Sequence, residues 1–529
     1  MVERETGVGD GIFSAAEKNA QGFVSELFRF CSSNSPSLRV WFLHAFRASG
    51  QAVGSRGRLP LMESLFQQGL REARPRRQEL DLRLIPLGFA AVIAVGAALL
   101  AMPWTHQPGK PIGTLDAVFL ATSATCVTGL VTVNVGETFN FFGHLVLLVL
   151  MQTGGMGIVT AGMLLALAAG RRLSLADEQT IRATVGRLRE ARPKDVFIYS
   201  CIFVLLLELA GAVALFVAMN RAEPGREPAL VAWEALFHAV SAFCNAGIST
   251  YPEGMMRWRH TPAVVFFVSL LVIAGGIGLL TLINLRYYYF WRRDPRRRGR
   301  LTLSTRICLA AALFLLVVGT LAVWAFEWGD TLNDLPWAEQ LLWAFFHSCS
   351  AHTAGFNLVD VGSMNPATLL ITIALMFIGG APGSMAGGVK TVTVVVLLLT
   401  AWSALRRRDE IECWGRRLPP RVSFIATMVL LFAGLTIVTG VGLLMLTENQ
   451  QPASQTAHGW LGIVFEAVSA FCTVGLSTGV TPLLTAPGKV IIITLMFTGR
   501  LAPLLLALYL VRPPARRPVR PPVEEVALG

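Results

Sequence analysis

One short pattern, Phe-x-Ala-x-Ser-Ala-x-Cys-x-x-Gly, occurs three times in this chain, over Phe119–Gly129, Phe237–Gly247 and Phe465–Gly475. A relative one residue shorter runs from Phe346 to Gly355. The four terminal glycines recur at spacings of 118, 108 and 120 residues, and each copy lies between two long apolar stretches. A fourfold repeat of apolar span, short segment with glycine and apolar span is one way for a single chain to surround a central axis. It points to ion permeation before any residue chemistry is considered.

Composition supports a membrane setting. Of 529 residues, 53% are apolar and 15% are charged, too hydrophobic for an ordinary soluble protein. The charges fall between apolar runs of about 20 residues, the length that crosses a bilayer core. These runs pair as 84–103 with 141–169, 196–219 with 261–290, 307–327 with 367–400, and 422–447 with 487–511. The net charge of +12 resides largely in the loops between pairs and in the tail, around Arg171–Lys194, Arg292–Arg300, Arg406–Arg417 and Arg512–Arg520. That distribution is a topology signal rather than a nucleic-acid surface, and it puts these loops and both termini in the cytoplasm. The repeated motifs then open to the outside. No cleavable leader is read, since the first span begins near Leu84. The eight cysteines (31, 126, 201, 244, 308, 349, 413 and 472) form no CxxC pair and read as reduced, packed thiols.

Between the spans of each pair lies an apolar segment such as Leu115–Ala124 or Ala232–Ala242, about ten residues long and too short to cross. A re-entrant helix fits, because irregular backbone at membrane depth is tolerated where it is buried in protein or lines water. The expected fold is therefore an all-α membrane protein. Four pseudo-repeated membrane–pore–membrane units surround one central pore, with eight transmembrane helices and four re-entrant pore helices. The units are 81–175, 190–292, 303–402 and 420–511, with a cytoplasmic extension over 1–80 and a cytoplasmic tail over 512–529. Within the extension, Phe28–Phe46 reads either as an amphipathic surface helix or as loosely ordered chain.

A short helix entering from outside points its partly negative C-terminal end at the membrane centre, which favours a cation on the axis. After the helix, each unit is expected to run extended to its glycine: Val127–Thr128–Gly129, Asn245–Ala246–Gly247, Thr353–Ala354–Gly355 and Thr473–Val474–Gly475. Glycine admits backbone angles that let consecutive carbonyls face one axis, and rings of carbonyls can replace an ion's water shell. Rings of carbonyl oxygens are hard to reconcile with anion selectivity, and none of these positions carries the carboxylate that calcium selectivity would call for. Cys126, Cys244, His352 and Cys472 tempt a zinc reading. Four residues on four walls of a pore, however, stand too far apart for metal–sulfur bonds of about 2.3 Å.

The chain resembles the Trk/Ktr/HKT superfamily of potassium transporters, and its KtrB branch most. FHAVSAFCNAGIS (237–249), SAHTAGFN (350–357), MFIGGAPGSMAGGVKT (376–391), FEAVSAFCTVGLSTGVTP (465–482) and QTGGMGI (152–158) carry the likeness, over roughly residues 84–511. The resemblance implies K+ as the transported ion, Na+ as a candidate activator and no bound cofactor. It also implies a homodimer and a cytosolic, KtrA/TrkA-like nucleotide-binding ring. Members often carry Arg where His352 stands, and glycine where Cys472 stands. Plant relatives with serine at the first filter glycine tend to favour sodium, so Gly129 resembles the potassium-selective type.

In this family the segment equivalent to Gly379–Gly388 is an intramembrane gating loop below the filter. Its proline and glycines would break a helix in mid-membrane. The expected gate residues are Gly379, Gly380, Pro382, Gly383, Ser384, Gly387, Gly388, Lys390 and Arg500. Arg500 is an isolated cation in the last span, and such a charge normally faces a cavity or a partner. The string Gly383–Thr391 superficially resembles a phosphate-binding loop, but Val389 separates Gly388 from Lys390 and no soluble strand precedes it. Glu208, Glu234 and Glu466 read as structural, capping or bonding a pore-helix end. Gly154, Gly155, Gly157, Gly275, Gly276 and Gly278 read as close-packing positions. No nucleophile, base and oxyanion donors assemble, so an enzyme is not expected. The function is read as potassium uptake in a prokaryotic inner membrane. A sodium-permeable or weakly selective channel, an alternating-access carrier and a non-conducting sensor are the alternatives.

Overall fold

The computed structural model describes residues 84–156, 193–278, 301–333, 335–352, 354–408 and 410–511, with 281, 282, 284, 285, 288 and 289. The extension 1–80, the tail 512–529, the arginines between 171 and 192 and between 292 and 300, and Gly157 lie outside the described residues. Described structure is almost wholly helical, and a three-helix pattern recurs. The first set is α1 (Leu84–Leu100), α2 (Thr114–Cys126) and α3 (Phe141–Gly155). The second is α4 (Pro193–Ala222), α5 (Pro228–Cys244) and α6 (Pro262–Ile277). The third is α7 (Leu303–Glu327), α8 (Trp337–Ala351) and the broken pair α9 (Pro366–Phe377) and α10 (Thr391–Leu405). The fourth is α11 (Pro420–Thr447), α12 (Trp460–Cys472) and α13 (Ala486–Val511).

The short helices α2, α5, α8 and α12 make the core. Their motif phenylalanines, Phe119, Phe237, Phe346 and Phe465, are all buried. In each set the first helix packs on its own short helix. The second helix also packs on the short helix of the following set: α3 on α5, α6 on α8, α9 on α12, and α13 back on α2. The order closes on itself, so the four short helices are encircled in cyclic sequence. The outer helices instead present apolar side chains outward, among them Leu205, Leu209, Leu313, Phe314, Leu431 and Leu435. Apolar surface on this scale needs an apolar partner.

Helix lengths refine the span readings. Among the described residues, three helical stretches meet both the length and the apolarity of a crossing: Cys201–Ala222, Leu303–Glu327 and Pro420–Thr447. The run read as one span over 261–290 is not continuous. Helix α6 ends at Ile277 because Gly278 takes a left-handed backbone, φ +86°. The run 367–400 is broken between Phe377 and Thr391, where two short parallel strands pair, β1 (Ile378–Gly379) with β2 (Val389–Lys390). A second pair, the antiparallel hairpin β3 (Ile411–Cys413) and β4 (Arg416–Leu418), follows α10. It is tied to that helix by Ser403 Oγ, which donates to the Glu410 carbonyl at 2.7 Å.

Candidate functional site

The chain after each short helix is tightly held. Val127, Asn245 and Thr473 cap α2, α5 and α12 in the left-handed conformation, with φ of 56°, 60° and 50°. The extended backbone expected at these three positions is therefore corrected. A left-handed residue lets the next N–H turn back onto the last helical carbonyls. Thr128, Ala246 and Val474 accordingly donate to the carbonyls of Ser123, Ser241 and Ser469 at 2.7–2.9 Å. The third set is one residue shorter, and an α-type turn absorbs the difference. His352 stays right-handed, and Ala354 N–H donates to the Ser350 carbonyl at 2.8 Å. The residue before each glycine thus bonds the same motif serine in all four sets. Thr353 lies outside the described residues.

The serine hydroxyls fasten the same segments. Ser123 Oγ accepts from Gly129 N–H at 3.0 Å, and Ser469 Oγ accepts from Gly475 N–H at 3.1 Å. Ser241 and Ser350 instead donate to the carbonyls of Ile248 and Phe356, one residue beyond their glycines.

The four glycines form a closed cycle. All have left-handed backbones, with φ of 98°, 64°, 74° and 95°. A side chain on Gly129 would strike the carbonyl oxygen of Ala246, one on Gly247 that of Ala354, one on Gly355 that of Val474, and one on Gly475 that of Thr128. Each glycine meets the carbonyl that precedes the next glycine, and the fourth returns to the first. Residues 346 positions apart along the chain are therefore neighbours. Four helix C-termini, each partly negative, converge on the same place. The buried hydroxyls of Thr128 and Thr473 have no hydrogen-bond partner there.

A second tier lies behind this cycle. Gly154, Gly275 and Gly499 would each strike a carbonyl at the end of their own short helix, of Thr125, Phe243 and Phe471. The sequence signal is a glycine pair, Gly154-Gly155, Gly275-Gly276 and Gly379-Gly380, and in the fourth set the second member is Arg500. That register was missed in reading Arg500 as an isolated charge.

The Gly379–Gly388 segment sits at this level. Ala381 N–H donates to the Gly276 carbonyl at 3.0 Å, and Thr391 N–H to that of Gly380 at 3.2 Å. Ser384 N–H closes a turn onto Ala381 over Pro382 and Gly383. Gly387 packs on Thr473, inside the candidate filter of the fourth set, and Gly388 on Gly379. Lys390 Nζ donates to the Ala386 carbonyl at 2.5 Å. Arg500 donates through Nη1 to the Met385 carbonyl at 2.6 Å and through Nη2 to that of Gly154 at 3.0 Å. His352, the residue before the third candidate filter, bonds through Nδ1 at 3.0 Å to the carbonyl of Ile378, the residue before this segment.

Loops beyond the glycines are anchored by Glu234 and Glu466, and by His238, which the sequence did not single out. The residue after the motif phenylalanine reaches eleven positions ahead, His238 to Ser249 at 2.9 Å and Glu466 to Ser477 at 2.5 Å. Glu466 also accepts from Thr478 N–H and Thr481 Oγ1, so it holds a post-filter loop rather than a helix end. Glu234 takes a bidentate bond from Arg226 at 2.8 and 2.9 Å and one from Tyr251 Oη at 2.7 Å. Burial and then the Glu234 bond push the Tyr251 phenol well above its ordinary range, so it remains a donor at physiological pH.

The closed glycine–carbonyl cycle lies at the centre of a helical protein whose apolar outer faces suit a membrane. The TrkH family of cation transport proteins matches residues 89–514, and the chain belongs to it. It is 36% identical to the Ktr system potassium uptake protein B of Vibrio alginolyticus, over 82% of this chain and 91% of that protein. It is 33% identical to the potassium/sodium uptake protein NtpJ of Enterococcus hirae, over 81% and 92%. The crystal structure of the potassium transporter TrkH from Vibrio parahaemolyticus has the same fold, with a TM-score of 0.61 and 19% identity, covering 93% of this chain and 97% of that one.

Proposed function

We propose that this chain carries potassium inward across a prokaryotic inner membrane, in single file through a carbonyl-lined filter. The observation that carries the reading is the closed cycle in which each of Gly129, Gly247, Gly355 and Gly475 abuts the carbonyl before the next. We read Val127, Thr128, Asn245, Ala246, Thr353, Ala354, Thr473 and Val474 with those glycines as the filter. The outer helices act as eight crossings, and α2, α5, α8 and α12 as re-entrant pore helices. Both termini are cytoplasmic in this reading. The driving force is the membrane potential, about 2.3 kcal/mol per charge per 100 mV, so no chemical step is needed.

The Gly379–Gly388 segment is the gate. It lies against the fourth filter strand, and Lys390 and Arg500 latch it through carbonyls. Arg500 also places a positive charge there as a barrier to the ion. A regulatory partner fits the "system" in the name of the Vibrio relative, and a homodimer and a cytosolic nucleotide-binding ring are part of the same proposal. Sodium as an activator is part of the same reading. A second reading is a sodium-permeable or weakly selective pore, favoured by the potassium/sodium name of the Enterococcus relative.

Rubidium uptake by the purified protein in liposomes, with sodium as competitor, separates these readings. Potassium-selective flux that Gly129→Ser makes sodium-permeable is the expected result. Unselective wild-type flux leaves a pore but removes the potassium assignment. No flux, even with a cytosolic partner, turns the reading toward a sensor.

A further inference from the structure

Between α10 and α11 the chain folds back as the β3–β4 hairpin, and the turn at its tip is unusual. The strands pair Cys413 with Arg416, so the loop is the two residues Trp414 and Gly415. Both have left-handed backbones, with φ of 48° and 68°. Positive φ at both positions marks the turn that matches strand twist, and its first position ordinarily goes to asparagine, aspartate or glycine. A tryptophan is disfavoured there, because its Cβ crowds the following carbonyl. Little burial is gained in exchange, since Trp414 is 56% exposed. A strained and largely exposed aromatic residue points to a role outside the fold.

The surroundings of Trp414 identify what it meets. Leu398, Trp402 and Leu405 stand on one face of α10 at helical spacing, and they are 64%, 55% and 79% exposed. That apolar stripe runs to the last residue of the helix and stops against Arg406, Arg407 and Arg408. The Arg406 guanidinium lies over the Trp402 ring, 4.5 Å from its centre. Such a boundary of aromatic rings and cations suits the level where hydrocarbon gives way to headgroups. The hairpin is fastened there: Arg408 N–H donates to the Ser403 carbonyl at 3.0 Å, and Ser403 Oγ donates to the Glu410 carbonyl. Its strands have three residues each. At a rise of about 3.3 Å per residue the tip stays within about 10 Å of the helix end, a distance comparable with the headgroup layer. Over 406–418 five arginines face three acidic residues, Asp409, Glu410 and Glu412. Arg417 is paired with Glu410 at 2.7 Å, and Glu412 stands opposite it across the strands. Among the described residues, Arg406, Arg407, Arg408 and Arg416 form no ion pair, and all four are exposed.

We infer that the β3–β4 hairpin and the end of α10 form a binding site for anionic phospholipid. Trp414 lies in the interface, and Arg406, Arg407, Arg408 and Arg416 take the phosphates, to which guanidinium groups bond in bidentate fashion. One lipid covers both parts of the surface. Its acyl chains lie on the Leu398–Leu405 stripe while its headgroup meets the arginines. An acidic region of a soluble protein would meet the arginines but leave the adjoining stripe bare. A basic cluster directly beyond a membrane helix is drawn to the anionic inner leaflet. The inference rests on the membrane setting proposed above, with this hairpin on the cytoplasmic side, and is independent of the pore reading.

The test uses the full chain in neutral detergent and reads thermal stabilisation by short-chain phosphatidylglycerol. Phosphatidylcholine of the same chain length and glycerol phosphate are the comparisons. Phosphatidylglycerol is expected to raise the unfolding midpoint saturably, and the other two are expected not to. The triple variant Arg406→Gln/Arg408→Gln/Arg416→Gln changes exposed positions only. It is expected to raise the half-saturating concentration about tenfold or more, with a smaller difference at high salt. Trp414→Asn gives the turn the residue its backbone prefers. It is expected to raise the lipid-free midpoint and still weaken phosphatidylglycerol binding several-fold. Equal stabilisation by phosphatidylcholine or by glycerol phosphate would overturn the inference, and so would a triple variant with unchanged half-saturation. Trp414→Asn with a lowered midpoint and unchanged half-saturation would make Trp414 structural and remove it from the site. A triple variant that keeps its lipid response but loses its response to a cytosolic partner would make this a protein interface instead. Should the triple variant fail to fold, Trp414→Asn decides. Wild-type protein that responds to phosphatidylglycerol but takes up no rubidium would sink the pore reading and leave the lipid site standing.

Discussion

At the scale of single residues, the four filter glycines and the motif serines carry the argument. Gly247 has a left-handed backbone and lies against the Ala354 carbonyl. Gly247→Ala therefore combines a conformational cost of about 1–2 kcal/mol with a steric clash. A lowered thermal midpoint and loss of rubidium uptake are expected, and an alanine variant with wild-type flux would contradict the assignment. Ser123→Ala removes the acceptor for the Gly129 N–H in a buried place, a cost of about 1–3 kcal/mol. Its first effect should be on the sodium-to-potassium uptake ratio, since the freed N–H loosens the strand that sets carbonyl spacing. The glycines and serines were legible in the sequence as a repeated string. The left-handed caps at Val127, Asn245 and Thr473 were not. Valine and threonine disfavour that conformation, and only the closure of the surrounding helices holds them in it.

At the scale of elements, the break between α9 and α10 is the informative one. Proline and glycine content announced that the helix stops, but not where the freed backbone groups find partners. They bond the end of α6 and the Arg500 guanidinium, both from distant parts of the chain, and the ammonium of the nearby Lys390. Arg500→Ala deletes one of these bonds, a second bond to the Gly154 carbonyl and a positive charge. In the gating reading it should raise basal flux several-fold and weaken control by a cytosolic partner, measured as uptake with and without that partner. Arg500→Lys supplies charge without the planar fork and should recover the barrier better than the latch. Reduced flux in both variants would remove the gate assignment. The glycine-pair register that aligns Arg500 with Gly155, Gly276 and Gly380 was present in the sequence. It gained meaning only when Gly154, Gly275 and Gly499 were found against equivalent carbonyls.

At the scale of the whole molecule, the ring must close between the fourth set and the first. One part-buried ion pair does this directly, Lys489 Nζ to Asp116 Oδ1 at 2.8 Å, joining the start of α13 to the first turn of α2. Asp116→Asn should cost about 1 kcal/mol of stability, more at low ionic strength than at high. The exchanged pair Asp116→Lys/Lys489→Asp should recover part of that loss, with thermal unfolding at two salt concentrations as the measurement. The sequence by itself determined the helical, membrane-suited character of the chain, its four motif copies and the location of the break in the third. Each of these follows from local composition, periodicity and backbone preference, which are properties of contiguous residues. Only the tertiary structure decided the cyclic order of contacts, the partners of Glu208, Glu466 and Arg500, and the meeting of Gly475 with Thr128. Those contacts join residues from eleven to more than three hundred positions apart, and their geometry depends on how the sets pack at once.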